Sequence, residues 1–260
     1  MPKHWYIKAA ALLISGAAAL CALTACERNQ IELDNETIRN FTPPQQGEDI
    51  VVLTIRDYGD VKIKLFPDAT PKGVENFTTL VKNGFYDELI FHRIIENFMV
   101  QGGDPKGNGT GGVDAWGSEN GFEQTISPDL HHFTGAVAYA IGSDKLNKSQ
   151  FYIVTGNLCD DNYFEMLGSQ AGLTYSGAVK ALYGQVGGYP SLDGGYEIFG
   201  QVFDGMDHIL EMQKVATDGN DKPKSQIQIE KAEVIPYDGT APNWLSFDGQ
   251  PVSPQTNIST

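Results

Sequence analysis

The sequence predicts a mainly β domain curled into a closed barrel. Three observations lead there. Short strand-like runs recur between residues 49 and 237, glycine-rich turns separate them, and only two stretches carry the period of an amphipathic helix. Composition fits: of 260 residues, 41% are hydrophobic and 20% charged, enough for a sizeable core.

The chain opens on an address. Lys3, His4 and Lys8 precede an apolar run from Ala9 to Leu23, which is short and alanine-rich for a spanning helix. This is the pattern of a secretory signal. It ends in Leu23-Thr24-Ala25-Cys26, which resembles the bacterial lipobox. Residues 1–25 are therefore expected to be a lipoprotein signal peptide, with Cys26 lipidated and the mature protein anchored on the extracytoplasmic face of a membrane. Residues 26–48 are polar, aperiodic and contain Pro43-Pro44, so they are expected to be a flexible spacer.

Folded structure is expected to begin near Asp49. Ile50–Ile55 and Val61–Phe66 read as strands joined by the turn Asp57-Tyr58-Gly59-Asp60, with Val61, Ile63 and Leu65 alternating against Lys62 and Lys64. Thr70-Pro71 starts a helix, threonine as N-cap and proline in the first turn. Val74, Phe77, Leu80 and Val81 share its buried face, and Gly84 ends it. Further strands are expected at 90–95, 137–141, 151–155, 198–203 and 227–235, and a second helix at 206–215 with Ile209, Met212 and Val215 buried. Residues 238–260 read as a tail in which Trp244, Leu245 and Phe247 are candidates for docking back.

Charge narrows the partners. The formal net charge is −15. Without Lys3 and Lys8 the 18 basic residues become 16 against 33 acidic, a net of −17. Such a surface repels phosphates, and no basic patch with interleaved aromatics relieves it, so nucleic acid is not an expected partner. Cys21, Cys26 and Cys159 show no metal-ligand spacing and no disulfide framework. Cys159 reads as a small apolar filler.

Residues 91–104, FHRIIENFMVQGGD, continue into Gly109-Thr110-Gly111-Gly112. A second block runs from Gly135 to Tyr152, extending as KSQFYIV, and a third from Leu192-Asp193-Gly194 to Phe199-Gly200. Together, and in this order, they resemble the cyclophilin-type peptidyl-prolyl cis-trans isomerases over residues 49–237. The resemblance implies an eight-stranded antiparallel barrel capped by two α-helices. It implies rotation about Xaa-Pro bonds in Pro-containing polypeptides, by a monomer with no cofactor and no metal. By position, Arg93 is the catalytic arginine. Phe98, Met99, Gln101, Gly109, Ala140, Gln150, Tyr152, Leu192 and Tyr196 form the substrate groove. Four positions depart from the best-known pattern: Tyr152 stands for a phenylalanine, Ile141 for an asparagine, Ser191 for a tryptophan and Tyr196 for a histidine. Residues 157–190 are longer than the matching family loop, and Ser176–Tyr183 is a candidate short helix within them.

Other signals fail. Gly107–Gly112 satisfies G-x-G-x-x-G, but no helix follows it, so it is no dinucleotide site. His92, His131 and His132 have no spaced partner, and adjacent histidines on a strand point to opposite faces. Two functions remain: an active isomerase assisting folding of exported proteins, or a weakly active scaffold that captures Pro-containing segments. Arg93, Phe98, Met99 and Gln101 favour the first; Tyr152 and the insertion keep the second open.

Overall fold

The computed structural model describes residues 38–118 and 120–253. The signal, Cys26 and most of the expected spacer lie outside them.

β1 (Asp49–Ile55) and β2 (Gly59–Leu65) form the expected hairpin, its turn carried by the left-handed backbone of Asp57 (φ 69). Val61, Ile63 and Leu65 face the core and Lys62 and Lys64 do not. α1 (Pro71–Lys82) buries Val74, Phe77, Leu80 and Val81, as the periodicity requires. Thr70 stands at the N-cap, but its hydroxyl donates to Phe66 O (3.3 Å) instead of capping a helical N–H. β3 (Arg93–Ile95), β4 (Met99–Gly102), β6 (Ala136–Tyr139), β8 (Phe151–Val154), β9 (Ile198–Asp204) and β10 (Ile229–Pro236) complete an antiparallel eight-stranded sheet, ordered β10-β1-β2-β9-β6-β8-β4-β3. β5 (Phe122–Glu123) and β7 (Leu146–Asn147) pair in a separate ribbon. α4 (Met206–Met212) buries Ile209 and Met212.

The sheet curls but its two edges do not zip together, which corrects the expectation of a closed barrel. Between β3 and β10 a single bridge, Ile90 to Gln228, spans the seam, helped by Phe91 N donating to Ile227 O (3.0 Å) and Ile229 N to Leu89 O (2.8 Å). Among the described residues four α-helices, not two, accompany the sheet. The extra pair, α2 (Asp161–Ala171) and α3 (Gly177–Val186), fills the insertion. Asp160 caps α2 by accepting from Tyr163 N (2.9 Å), and Ser176 caps α3 by accepting from Val179 N (3.3 Å).

Four apolar clusters result among the described residues, the smallest formed by Ile50, Val52, Phe203 and Tyr237. The largest fills the curl of the sheet around Phe77, Phe151 and Phe199. A second joins the insertion to the chain ends, with Phe164, Leu167, Val179 and Tyr183 packed against Phe133, Ile38 and Phe41. Residues 38–48 are thus not free spacer. Ile38 and Phe41 are buried, and the Asn40 amide exchanges hydrogen bonds with the His131 backbone at 3.0 and 2.9 Å. The spacing of Ile38 and Phe41 supplies enough apolar surface to hold this strap down. Trp244 docks edge-on against Phe41 (5.4 Å), so the tail returns as the sequence suggested, within the residues described. The third cluster lies on the opposite face of β6 and β8 from the first, and it floors the groove.

Candidate active site

Strand register builds the site. Directly opposed residues in a sheet project to the same face. Arg93 on β3 stands opposite Gln101 on β4, Gln101 opposite Tyr152 on β8, and Tyr152 opposite Ala138 on β6. One row across adjacent strands therefore carries cation, amide and aromatic ring in sequence. Met99, two residues before Gln101, shares that face. Phe151 and Ile153 point into the main core while Tyr152 points out, so β8 is buried on both sides.

The row opens on a cavity of about 170 Å³ lined by Arg93, Phe98, Met99, Gln101, Ala140, Ile141, Tyr152, Leu192 and Tyr196. Leu192 arrives on a short 3-10 turn (Pro190–Leu192) and Tyr196 precedes β9. Phe98 is propped by Tyr189 of the insertion, ring centroids 4.4 Å apart. Most of the residues expected in the groove thus meet there, and Ile141 joins them. Gly109 and Gln150 stand behind it. The Gln150 amide donates to Gly109 O (3.2 Å) and Gly111 O (2.7 Å), and its oxygen accepts from Gln101 Nε2 (2.9 Å).

Arg93 is about half exposed, and its Nε donates to Asp221 Oδ2 at 3.3 Å. An exposed pair of this kind contributes little stability. Asp221, on the loop after α4, had no signal in the sequence beyond its charge.

Beneath the groove the Tyr152 hydroxyl lies 3.0 Å from His132 Nε2, and His132 Nδ1 lies 2.8 Å from Asp193 Oδ1. His131 Nδ1 reaches the other carboxylate oxygen at 3.1 Å. The two histidines were expected on opposite strand faces. They precede β6 in a bent segment, where the alternation of a strand does not apply, and both turn to one carboxylate. Burial raises the proton affinity of Asp193, but hydrogen bonds from His131 and His132 outweigh it and hold the carboxyl well below the usual range. Burial also pushes the Tyr152 phenol well up, so the ring stays neutral.

Gly107–Gly112 forms a loop wrapped on Asp104, which accepts backbone N–H groups of Lys106, Asn108 and Gly109 at 2.8, 2.9 and 2.6 Å. The Asn108 and Gly109 N–H groups are thus already taken by the Asp104 carboxylate. Among the described residues, no group of three or more His, Cys, Asp or Glu is placed to hold a metal ion.

The fold and site define a curled antiparallel sheet bearing a groove of mixed polar and apolar lining with the Arg93 guanidinium in it. Residues 50–234 match the family model for cyclophilin type peptidyl-prolyl cis-trans isomerase/CLD. Proteins named "Putative peptidyl-prolyl cis-trans isomerase" from Staphylococcus epidermidis and Staphylococcus aureus are each 38% identical over 189 and 190 residues, covering 73% of this chain and 93% of theirs. A crystal structure of a Cryptosporidium parvum cyclophilin type peptidyl-prolyl cis-trans isomerase, obtained in the presence of the dipeptide Ala-Pro, aligns with TM-score 0.56 and 30% identity. It covers 72% of this chain and 99% of that one. The chain belongs to the cyclophilin-type peptidyl-prolyl cis-trans isomerases, and it is an enzyme of that activity.

Proposed function

We propose that Arg93 is the catalytic residue, acting on a proline seated against Phe98, Met99, Tyr152 and Leu192. Rotation about a peptide bond meets a barrier of about 18–20 kcal/mol because the C–N bond is partly double. In the twisted state the prolyl nitrogen loses conjugation and regains a lone pair. A guanidinium, always protonated and rigidly planar, donates to that lone pair. The contact is weak on the planar amide and strong on the twisted one, which is the condition for lowering a barrier. Gln101, held by Gln150, binds the carbonyl on the side of the bond that stays still.

The single observation behind this reading is the in-register row Arg93–Gln101–Tyr152 opening on one cavity. Arg93→Ala should lower kcat/KM in a proline-limited peptide assay about a hundredfold, the weight of one preorganised donor of roughly 3 kcal/mol. Thermal unfolding should be unchanged. Equal isomerisation rates for the two proteins would reject the assignment.

The clients, on this proposal, are exported proteins. Its support is the basic start, the apolar run and the Leu23-Thr24-Ala25-Cys26 sequence. Slow prolyl isomerisation limits folding outside the cytoplasm as within it. Two acyl chains on Cys26 would give a stable anchor. Among the described residues no helix is long and apolar enough to cross a membrane. Mass spectrometry of the mature chain should find a diacylated or triacylated Cys26 at its N-terminus; a cleaved chain with unmodified Cys26 excludes the anchor.

A further inference from the structure

A chain of buried polar contacts ties the groove floor to the insertion, and amide rotation itself makes no use of it. The Tyr183 hydroxyl of α3 donates to Asp193 Oδ2 at 2.8 Å. Asp193 Oδ1 accepts from His132 N (2.7 Å) and faces His132 Nδ1 (2.8 Å). His132 Nε2 lies 3.0 Å from the Tyr152 hydroxyl. An ionised carboxylate only accepts, so His132 must carry its proton on Nδ1. In the neutral imidazole Nε2 is then an acceptor, and the Tyr152 hydroxyl donates to it. In that form every hydrogen in the run has one direction.

The backbone follows the same route. Tyr189 N donates to His132 O (2.8 Å), and Phe133 bridges to Gly188 where the insertion ends. The His132 and Tyr152 rings lie nearly parallel, 14° apart at 6.1 Å, with Tyr196 edge-on to both. An apolar floor needs none of these groups. Buried polar sets are seldom more stabilising than well-packed apolar ones, so their use here is better sought in geometry than in stability.

We propose that His132 is a positioning residue. Oriented by Asp193, and through Asp193 by Tyr183 of the insertion, it fixes the ring of Tyr152 and so the depth of the proline socket. The insertion then sets how tightly a proline is gripped, without touching it. This rests on the groove assignment above.

Histidine offers a clean dissection. His132→Asn keeps a donor at the Nδ1 position for Asp193 and loses the acceptor for Tyr152. His132→Gln keeps an acceptor at the Nε2 position. A socket held loosely weakens the grip on planar and twisted proline alike, which raises KM and leaves kcat in place. His132→Asn should raise KM for a proline-containing peptide roughly fivefold, the weight of one ordinary hydrogen bond. His132→Gln should restore most of the loss. In a Tyr152→Phe background, His132→Asn should change KM no further.

An unchanged KM in His132→Asn, or a rise that persists in Tyr152→Phe, overturns the proposal. Should His132→Asn not fold, Tyr183→Phe reads the same run from its far end. A smaller KM rise that vanishes with Tyr152→Phe is expected, and no rise overturns the proposal. Arg93→Ala, measured alongside, separates the two claims. If it leaves turnover intact, the groove assignment fails; if it lowers turnover while His132→Asn is silent, only the positioning role falls.

Discussion

Two carboxylates stand four residues apart on the segment that closes the groove, one on the side of the insertion and one on the side of α1. Asp193 and Glu197 are both fully buried. Burial alone raises the proton affinity of each, yet the outcomes are opposite. Asp193 is surrounded by donors: His132 N, His132 Nδ1, His131 Nδ1 and the Tyr183 hydroxyl, at 2.7–3.1 Å. Its carboxyl stays ionised. Glu197 has donors on one oxygen only, Thr125 N (2.7 Å) and Asn147 Nδ2 (2.6 Å), while Oε1 has no partner. The nearby Lys72 ammonium lies over the Trp116 and Phe122 rings (5.2 and 5.3 Å). Burial therefore prevails, and Glu197 is pushed up to about 7. Depth does not settle the charge of a buried acid; the number of donors facing it does.

The comparison breaks most visibly at Asp193. Asp193→Ala strands two imidazoles and a phenol in an apolar surround and should remove about 3–5 kcal/mol of stability. Urea unfolding at pH 7 measures it, and a loss under about 1 kcal/mol would mean the donors find other partners. The same geometry predicts acid lability. The folded carboxyl binds its proton less readily than the unfolded one, whose ordinary value is about 3.9. Its contribution is therefore present above that value and lost as the pH falls below it.

The sequence told the two sides apart unequally. The groove was legible through the resemblance carried by residues 91–104 and 135–152, which named Arg93, Gln101 and Tyr152 by position; strand register then sets them in a row across β3, β4 and β8, although β4 was not among the expected strands. On the insertion side only the candidate helix at Ser176–Tyr183 was read, and it forms as α3 (Gly177–Val186); the rest was opaque. α2 carries Tyr163, Phe164, Met166 and Leu167 in two adjacent pairs, of which only Phe164 and Leu167 are buried, so its period is blurred. Its cap at Asp160 and its terminating Gly172 (φ 67) were the available signals. Ile38 and Phe41 were hidden among polar neighbours, because their partners lie more than 90 residues away at Phe133 and in the insertion. The Asp193 cluster was beyond reach for the same reason. His132, Tyr183 and Tyr152 come from three separate segments, and no local spacing joins them.

Glu197 supplies the finer test. Its folded value of about 7 lies above the unfolded value of 4.5, the reverse of Asp193. Between these values the unfolded chain gives up its proton first, so stability should fall as the pH rises from about 5 to about 8. At roughly 1.4 kcal/mol per pKa unit the fall is at most about 3 kcal/mol. Glu197→Gln mimics the protonated form and has nothing to release. Urea unfolding at pH 5, 6.5 and 8 should give a declining series for the natural chain and a nearly level one for the variant, with the variant the more stable at pH 8. A decline that survives in Glu197→Gln belongs to another group. Glu197 would then be ionised in the fold on two donors alone, and the donor count would no longer separate it from Asp193.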